Sequence, residues 1–277
     1  MGAAPRAARA LRRVAAISRA LTSAAAAPAG GGGEARAHVA VVVGAGAATG
    51  AALCRALAEE HGYVVYAARR RFPSEEDGAG GDDGLGAHPR ILRRPCDARD
   101  AAQVERLFAE ARAAGELRFV AHNIGGNVRF GALQTTERVF RKVWELCALS
   151  AFLVGKEAAA AMAAHGGGGT IAFTGATAST RGAAGFGAFA SAMHAKRGFA
   201  QALAKEVGPL GIHVCHLVVD APIDTAFVRE NFLPRDATLA RRMLPPEDVA
   251  SAILAMHKQP ARAWAFEMDL RSQHEPW

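Results

Sequence analysis

The chain has 277 residues, of which 51% are apolar and 21% charged, so it can bury one substantial core in a single domain. Its formal net charge is +7, but five arginines precede Glu34, the first acidic residue, and without them the charge falls to +2. No basic face with interleaved aromatic residues remains, which argues against nucleic-acid binding. Apolar runs are too short for a membrane span, and four scattered cysteines without partnering histidines argue against a metal site and favour a reducing compartment.

Residues 1–36 are predicted to lie outside the fold. The first 33 of them are rich in Ala, Arg, Ser and Gly and contain no acidic residue. In a helix their large apolar side chains would share one face, opposite the arginines: Leu11, Val14, Ile17 and Leu21. This pattern is typical of an organelle transit peptide, and a mitochondrion is favoured over a plastid. The alternative is a disordered basic tail, which would leave the protein in the cytoplasm.

From residue 37 to residue 277, short apolar segments alternate with longer helical patterns, as in parallel βαβ units. Strands are predicted over residues 38–43, 63–68, 90–95, 118–123, 170–174, 212–219 and 264–270. Helices are predicted to begin near Gly50, Asp100, Thr135, Gly185 and Pro246. The pattern predicts one Rossmann-type α/β domain, a doubly wound, seven-stranded parallel sheet with helices on both faces. Residues 74–88 are so rich in Gly and Asp that we expect an exposed, mobile insertion.

The first predicted strand runs directly into a glycine-rich turn and then a helix. Gly44, Gly46 and Gly50 allow a sharp turn and a close approach of the backbone to a pyrophosphate at the helix N-terminus. Arg69 and Arg70 end the second strand, where NAD-binding folds place an acid for the ribose hydroxyl. Guanidinium groups favour a 2′-phosphate, so NADP(H) is predicted over NAD(H). The alternatives are a structural turn and a solvated basic strand end.

Further motifs follow in a recognisable order. Gly44-x-Gly46-x-x-x-Gly50 is similar to the T-G-x-x-x-G-x-G loop of the short-chain dehydrogenase/reductase family, with Val43 and Ala48 in place of a Thr and a Gly. The sequence 122–125 resembles the family's N-N-A-G motif, and residues 208–214 resemble the start of its sixth strand. The resemblance covers nearly all of the chain beyond residue 37. It implies cofactor contacts by Asp97, Asn123, Gly125 and Thr225, with Asp97 at the adenine and Thr225 at the nicotinamide.

The resemblance also implies hydride transfer between the nicotinamide and a small-molecule carbonyl or alcohol. In the family a Tyr is the general acid and base, a Lys lowers its pKa, a Ser holds the substrate oxygen and an Asn maintains a water relay. The family's spacing to Gly198 puts Met193 at the Lys position and Phe189 at the Tyr position. The Ser position is Ala176 and the Asn position is Cys147. All four side chains of the relay are therefore absent, and their replacements keep volume but not chemistry.

Several other polar residues could substitute for the missing relay, but a structural role is favoured for each of them. The residues considered are His122, Thr177, Ser179, His194, Lys196, Asp220 and Asp224. Lys196 is expected on the surface, three residues beyond Met193, although a contact with the ribose is conceivable. Cys147 is expected to be core filler in an Ala-rich helix.

Three functions remain open from the sequence. The first is an NADP(H)-dependent oxidoreductase with an unrecognised proton donor, and the second is a non-catalytic NADP(H) sensor or scaffold. The third is a structural subunit that no longer binds cofactor. The resemblance also implies a homodimer or homotetramer formed through the long helices that begin near Thr135 and Gly185.

Overall fold

The structure is a computed structural model, and it describes residues 36–73 and 83–275. The predicted transit segment, apart from residue 36, and residues 74–82 of the predicted insertion lie outside the described residues. The domain boundary at residue 37 stays a prediction.

The described chain contains a seven-stranded sheet in which all neighbouring strands are parallel. The strands are β1 His38–Val43, β2 Val64–Arg69, β3 Ile91–Pro95, β4 Glu116–His122, β5 Gly169–Thr174, β6 Ile212–Val219 and β7 Glu267–Leu270. Their order across the sheet is β3-β2-β1-β4-β5-β6-β7. Since β1 pairs with both β2 and β4, the order of strands reverses there, and a crevice opens at the carboxyl ends of these strands. The predicted fold class is confirmed.

Helices cover both faces of the sheet. They are α1 Thr49–Glu59, α2 Ala101–Ala114, α3 Glu137–Trp144, α4 Ser150–Ala164, α5 Gly187–Val207, α6 Ala226–Asn231, α7 Leu239–Arg242 and α8 Pro246–His257. One apolar core lies between the sheet and α1 and α8, and the other lies between the sheet and α2, α4 and α5. The five predicted helix starts lie within two residues of the observed ones, whereas the short helices α6 and α7 were not predicted.

Two strand starts, those of β4 and β7, differ from the prediction by two residues or more, and tertiary contacts explain both. β4 begins at Glu116, two residues early, since Glu116 lies opposite His38 at the start of β1. β7 begins at Glu267 instead of residue 264. Trp264 stacks on the ring of His213, with 4.9 Å between the ring centroids, and the carbonyl of Ala265 accepts a hydrogen bond from His213. Side-chain contacts therefore replace strand pairing at the start of that segment.

The prediction of an exposed, mobile insertion over residues 74–88 is wrong at residues 83–85, which the structure describes. Asp83 is buried and accepts two hydrogen bonds from Arg93, at 2.6 and 3.0 Å. Leu85 is buried in the core beneath α1, and the guanidinium of Arg55 donates to the carbonyl of Gly84. This end of the insertion is thus fixed to the sheet and to α1, by contacts with residues distant in sequence.

A continuous helical segment, Glu137–Ala164, comprises α3, a π-helical turn at Glu145–Leu149, and α4. By length and mean hydropathy (1.5) it could cross a membrane, but 61% of its most apolar window is buried inside the fold. Such burial is usual for a core helix. The π-helical turn shifts the register of the side chains that follow, and it contains Cys147.

Candidate functional site

A cleft of about 630 Å³ opens at the carboxyl edge of the sheet, where the strand order reverses. Its walls come from the segments that follow β1 to β4 and from the turn before α4. The lining residues are Val43, Gly44, Gly46, Ala68, Arg69, Arg70, Arg71, Cys96, Asp97, Ala98, Arg99, Asn123, Ile124, Gly125, Leu146 and Ser150. Sequence analysis assigned nine residues to the cofactor. Gly50 and Thr225 do not line this cleft, and the other seven do: Gly44, Gly46, Arg69, Arg70, Asp97, Asn123 and Gly125.

The glycines of the turn serve two purposes. Gly44 has φ +97°, and a Cβ there would lie 2.2 Å from the carbonyl oxygen of Asn123. A Cβ on Gly50 would lie 2.3 Å from the carbonyl oxygen of Gly44, so these two glycines are needed for the turn itself. Gly46 and Gly125 would meet nothing within 4 Å. Their bare backbones leave open space in the cleft, as close approach of a pyrophosphate requires.

The amino terminus of α1 follows this turn. No side chain caps the helix, and the hydroxyl of Thr49 is buried without a hydrogen-bond partner among the described residues. Uncapped amides at a helix N-terminus, together with the helix dipole, attract anions. The glycine turn and this helix end therefore fit the phosphates of a dinucleotide.

Guanidinium groups surround the end of the cleft at β2. Arg69 lies over the ring of Phe72, 5.6 Å from its centroid, and Arg70 is exposed. Neither of these arginines forms an ion pair with a described residue. Both line the cleft, and their charges also act on the carboxylates of Asp83 and Asp97.

Arg99 belongs to the same wall and was missed by sequence analysis. Its guanidinium donates to both carboxylate oxygens of Asp97, with a shortest distance of 2.6 Å. These bonds hold the pKa of Asp97 below its ordinary value. The Asp-x-Arg spacing at the end of β3 was the available signal, since a carboxylate can pair with a guanidinium two residues away. The predicted adenine contact of Asp97 stays a prediction.

Asn123 joins the two loops at the centre of the cleft. Its side-chain amide donates to the carbonyl of Gly44 at 3.1 Å, and its backbone amide donates to Val43 at 2.7 Å. Thr225 follows β6 and caps α6, where its hydroxyl accepts from the amide of Val228 at 3.2 Å. Thr225 does not line the cleft described above.

The four residues predicted at the relay positions lie together in a separate cluster, which we call the apolar cluster. Cys147, Phe189 and Met193 are buried within it, with Val143, Ala178, Ala188, Ala190 and Ala192, and Ala176 packs against it. Phe189 has no ionisable group and Met193 has no charge. The amide of Gly126 donates to the thiol of Cys147, yet burial raises the thiol's pKa. These four side chains offer no group that can exchange a proton near neutral pH.

Lys196 was expected on the surface, and that expectation is wrong. Its side chain is fully buried, and the amine donates to the carbonyls of Ile124 at 2.6 Å and Thr174 at 3.1 Å. Burial lowers its pKa from 10.5 to about 8. The missed signal was the spacing on α5, since Lys196 falls in a stripe of buried residues three and four apart: Phe189, Met193, Lys196, Ala200, Leu203 and Val207.

The two histidines considered as proton donors, His122 and His194, lie in different surroundings: the first is buried and the second is exposed. His122 is fully buried, and its Nε2 lies 2.8 Å from the hydroxyl of Ser150. Burial, reinforced by the charge of Lys196, holds the pKa of His122 well below its ordinary value. His194 is exposed, and its Nδ1 lies 2.8 Å from the carbonyl of Ala190. His122 is therefore neutral near pH 7, and His194 faces away from the core.

The remaining polar candidates form structural bonds. Asp220 is buried and accepts from the hydroxyl of Thr177, and it pairs with Arg181 at 3.2 Å and with Arg271 at 3.3 Å. The buried hydroxyl of Ser179 accepts from the amide of Ala176 at 3.1 Å. Asp224 pairs with Arg229. These contacts agree with the structural roles favoured from the sequence.

The chain is similar over most of its length to known proteins of one family. A family model described as short chain dehydrogenase matches residues 38–236. No curated protein matches the chain significantly.

Several solved structures resemble it closely in fold. A short-chain dehydrogenase from Rhodopseudomonas palustris is 39% identical with a TM-score of 0.70, and the match covers 84% of this chain and 98% of that one. A substituted short-chain dehydrogenase/reductase from Serratia marcescens is 21% identical, with a TM-score of 0.74 and coverage of 87% and 99%. A substituted actinorhodin polyketide ketoreductase, solved with NADPH, is 22% identical, with a TM-score of 0.72 and coverage of 87% and 98%. The last two likenesses concern the fold alone.

Proposed function

This chain belongs to the short-chain dehydrogenase/reductase family of oxidoreductases, and we propose that it binds NADP(H) without the proton transfer by which the family reduces carbonyls. The observation that carries the proposal is the contrast between the cleft and the apolar cluster. The cleft keeps an open glycine turn, and guanidinium groups, among them those of Arg69 and Arg70, line it. The apolar cluster joins all four relay positions and has no proton donor among them.

The chemistry of carbonyl reduction explains why the cluster matters. NADPH, when bound, would supply a hydride, but an alkoxide formed in a dry site must also receive a proton. Phe189 cannot provide that proton, and the hydroxyl of Thr177 is already donated to Asp220. Loss of a general acid typically lowers a rate by about 100-fold to 10,000-fold. Sensing or scaffolding that depends on the bound cofactor requires no such proton.

A preference for NADP(H) over NAD(H) is supported by the charges at the end of β2. Among the described residues, Asp97 is the one carboxylate that lines the cleft, and four arginines line it as well: Arg69, Arg70, Arg71 and Arg99. A 2′-phosphate carries about −1.5 to −2 charge at neutral pH and accepts charge-assisted hydrogen bonds from guanidinium groups. The ketoreductase neighbour that was solved with NADPH has the same fold.

Titration of the full chain with NADPH and NADH, followed by nucleotide fluorescence, tests this proposal. We expect saturable binding of NADPH and at least about tenfold weaker binding of NADH, because only NADPH carries the phosphate that the arginines would hold. Absence of a saturable NADPH signal would overturn the proposal and leave a structural subunit. Equal affinities would remove the cofactor preference alone.

An oxidoreductase acting on a small-molecule carbonyl or alcohol is the second candidate. It is favoured by Lys196, which lies beside the apolar cluster and whose pKa of about 8 allows proton exchange near neutrality. Both short bonds of this amine are to backbone carbonyls, however, and the side chain is fully buried. A steady-state rate that disappears in Lys196→Met, while NADPH binding is kept, would support this candidate.

We further propose a homodimer or homotetramer formed through the long helices. Phe140, Trp144 and Phe152 are exposed on the segment Glu137–Ala164, and Phe152 contacts Phe199 of α5 edge to face. Light scattering should give at least twice the chain's 28.8 kDa, and Trp144→Glu should lower that mass. A monomeric wild type would overturn this.

For location, we propose that residues 1–36 direct the protein to an organelle, with a mitochondrion favoured over a plastid. The support is the acid-free, arginine-rich composition of the first 33 residues. Fusion of residues 1–36 to a fluorescent protein should give organelle fluorescence, whereas a diffuse cytoplasmic signal would contradict the proposal.

A further inference from the structure

The buried ammonium of Lys196 has no counter-charge in the described part of the chain. Its two hydrogen bonds go to backbone carbonyls, and neither goes to a carboxylate. Burial of an unpaired charge is costly, and lysine is almost never fully buried unless it is paired. A charge kept in such a place indicates a function that an apolar side chain could not serve.

The two carbonyls connect Lys196 to the cofactor cleft. Thr174 ends β5, and Ile124 follows β4. Ile124 itself lines the cleft, between Asn123 and Gly125. Because a charge-assisted hydrogen bond is about twice as strong as a neutral one, the ammonium fixes the loop 123–125 against the end of β5.

The groups around Lys196 leave its charge uncompensated. His122 from β4, Cys147 from the π-helical turn and His216 from β6 interact electrostatically with it. Burial lowers the pKa of His216 to about 4 and that of His122 well below 6.5, while it raises that of Cys147. All three are neutral between pH 7 and pH 8, so Lys196 supplies the titrating charge of this group.

We propose that Lys196 is a positioning residue for the bound dinucleotide, which holds the loop at Ile124 in place and whose ammonium charge attracts the anionic cofactor. The inference rests on the proposed binding of NADP(H). A dinucleotide brings several negative charges into a cleft that is lined by Ile124, whose carbonyl accepts a hydrogen bond from the buried ammonium of Lys196. Binding and protonation of Lys196 therefore favour each other.

The predicted signature is a proton taken up on binding. In the protein without cofactor, burial lowers the pKa of Lys196 to about 8. An anionic ligand nearby would raise this pKa. A rise of about one unit would cause uptake of roughly half a proton near pH 8.5, and the Kd for NADPH would weaken with rising pH, by up to about tenfold between the limits well below pH 8 and well above pH 9. The 2′-phosphate, with a pKa of about 6, is fully ionised in this range and contributes no proton.

Isothermal titration calorimetry of the full chain with NADPH at pH 8.5, in two buffers of different ionisation enthalpy, counts the protons. We expect uptake by the wild type and by Lys205→Met, a control at an exposed lysine in the last turn of α5. In Lys196→Met we expect no uptake, a pH-independent Kd and about tenfold weaker binding at pH 7. A merely structural role would not produce the proton uptake.

The outcomes separate the two proposals. Wild type that binds NADPH without proton uptake, or a Lys196→Met variant with the same uptake, would overturn the role of Lys196 and leave the proposed function intact. Absence of NADPH binding by the wild type would overturn both. The proton count on the wild type alone decides the matter should the variant not fold.

Discussion

The carboxyl edge of the sheet has two halves that differ in chemistry. Around β1 to β4, the cleft carries bare glycines, guanidinium groups and a paired carboxylate. Next to it, the apolar cluster holds the four residues predicted at the relay positions, Cys147, Ala176, Phe189 and Met193. The backbone of both halves follows the same family fold. The difference indicates that recognition of a nucleotide and transfer of a proton can be lost separately, since each depends on its own side chains.

Among the substitutions that we propose, Phe189→Tyr/Met193→Lys should have the largest effect, because it would give the apolar cluster a proton donor. It adds a phenol and an amine to the apolar cluster, so we expect carbonyl reduction at least about 100-fold faster than by the wild type. The measurement is the loss of NADPH absorbance with a panel of carbonyl compounds. Phe130→Tyr, at an exposed phenylalanine, is the matched control and should change nothing. A double variant that binds NADPH but is as slow as the wild type would mean that more than these two groups is missing.

Arg69→Ala/Arg70→Ala tests the cofactor cleft. We expect the Kd for NADPH to rise about 100-fold, because each charge-assisted bond to a phosphate contributes roughly 1.5–3 kcal/mol. The Kd for NADH should change little. Fluorescence titration measures both, with Arg112→Ala, at an exposed arginine in the last turn of α2, as the control. Equal losses for the two cofactors would contradict a 2′-phosphate site at these arginines.

Lys196→Met tests the buried amine that lies between the cofactor cleft and the apolar cluster. Its expected effect is a change in how the unfolding free energy depends on pH. Because burial lowers the native pKa from 10.5 to about 8, the native state releases its proton at a pH where the unfolded chain still holds it. Wild-type stability should therefore gain roughly 2–3 kcal/mol relative to the variant as the pH rises from 7 to 10. Urea unfolding at both pH values measures this gain. A constant difference in unfolding free energy would show that the native amine is not perturbed.

Two glycine substitutions should separate turn geometry from ligand space. Gly50→Ala puts a Cβ 2.3 Å from the carbonyl oxygen of Gly44, so we expect a loss of about 2 kcal/mol in unfolding free energy. Gly46→Ala meets nothing within 4 Å, so its stability should stay within about 0.5 kcal/mol while NADPH binding weakens. Thermal unfolding and NADPH titration distinguish them. Unchanged NADPH binding by Gly46→Ala would place the pyrophosphate elsewhere.

Much of the fold was predictable because its signals are local. β6 has the predicted bounds, Ile212–Val219, because a segment rich in β-branched and apolar residues follows directly on Gly211 in the sequence. The start of β7 was not predictable, because the stacking of Trp264 on His213 depends on the tertiary structure. The anchored end of the insertion depends likewise on distant partners, Arg55 and Arg93. A Gly- and Asp-rich composition carries no information about such partners.

The candidate site likewise contains residues that the sequence could predict and residues that it could not. The glycine turn and the arginines after β2 were predictable, since each follows directly from a strand end. Lys196 was misjudged because its charge was given more weight than its spacing on α5. Its burial depends on carbonyl acceptors from β5 and from the loop after β4, which are 22 and 72 residues away in sequence. Only the packing of α5 on the sheet brings them together.

We propose that this protein still binds its cofactor although it has lost the proton transfer. The most direct measurement is NADPH oxidation by the wild type, at a cofactor concentration shown by titration to saturate it, with a panel of carbonyl compounds. We expect saturable binding of NADPH and no oxidation above the protein-free rate. Oxidation by the wild type at a rate that Phe189→Ala leaves unchanged would contradict it, and would require a proton donor outside the apolar cluster.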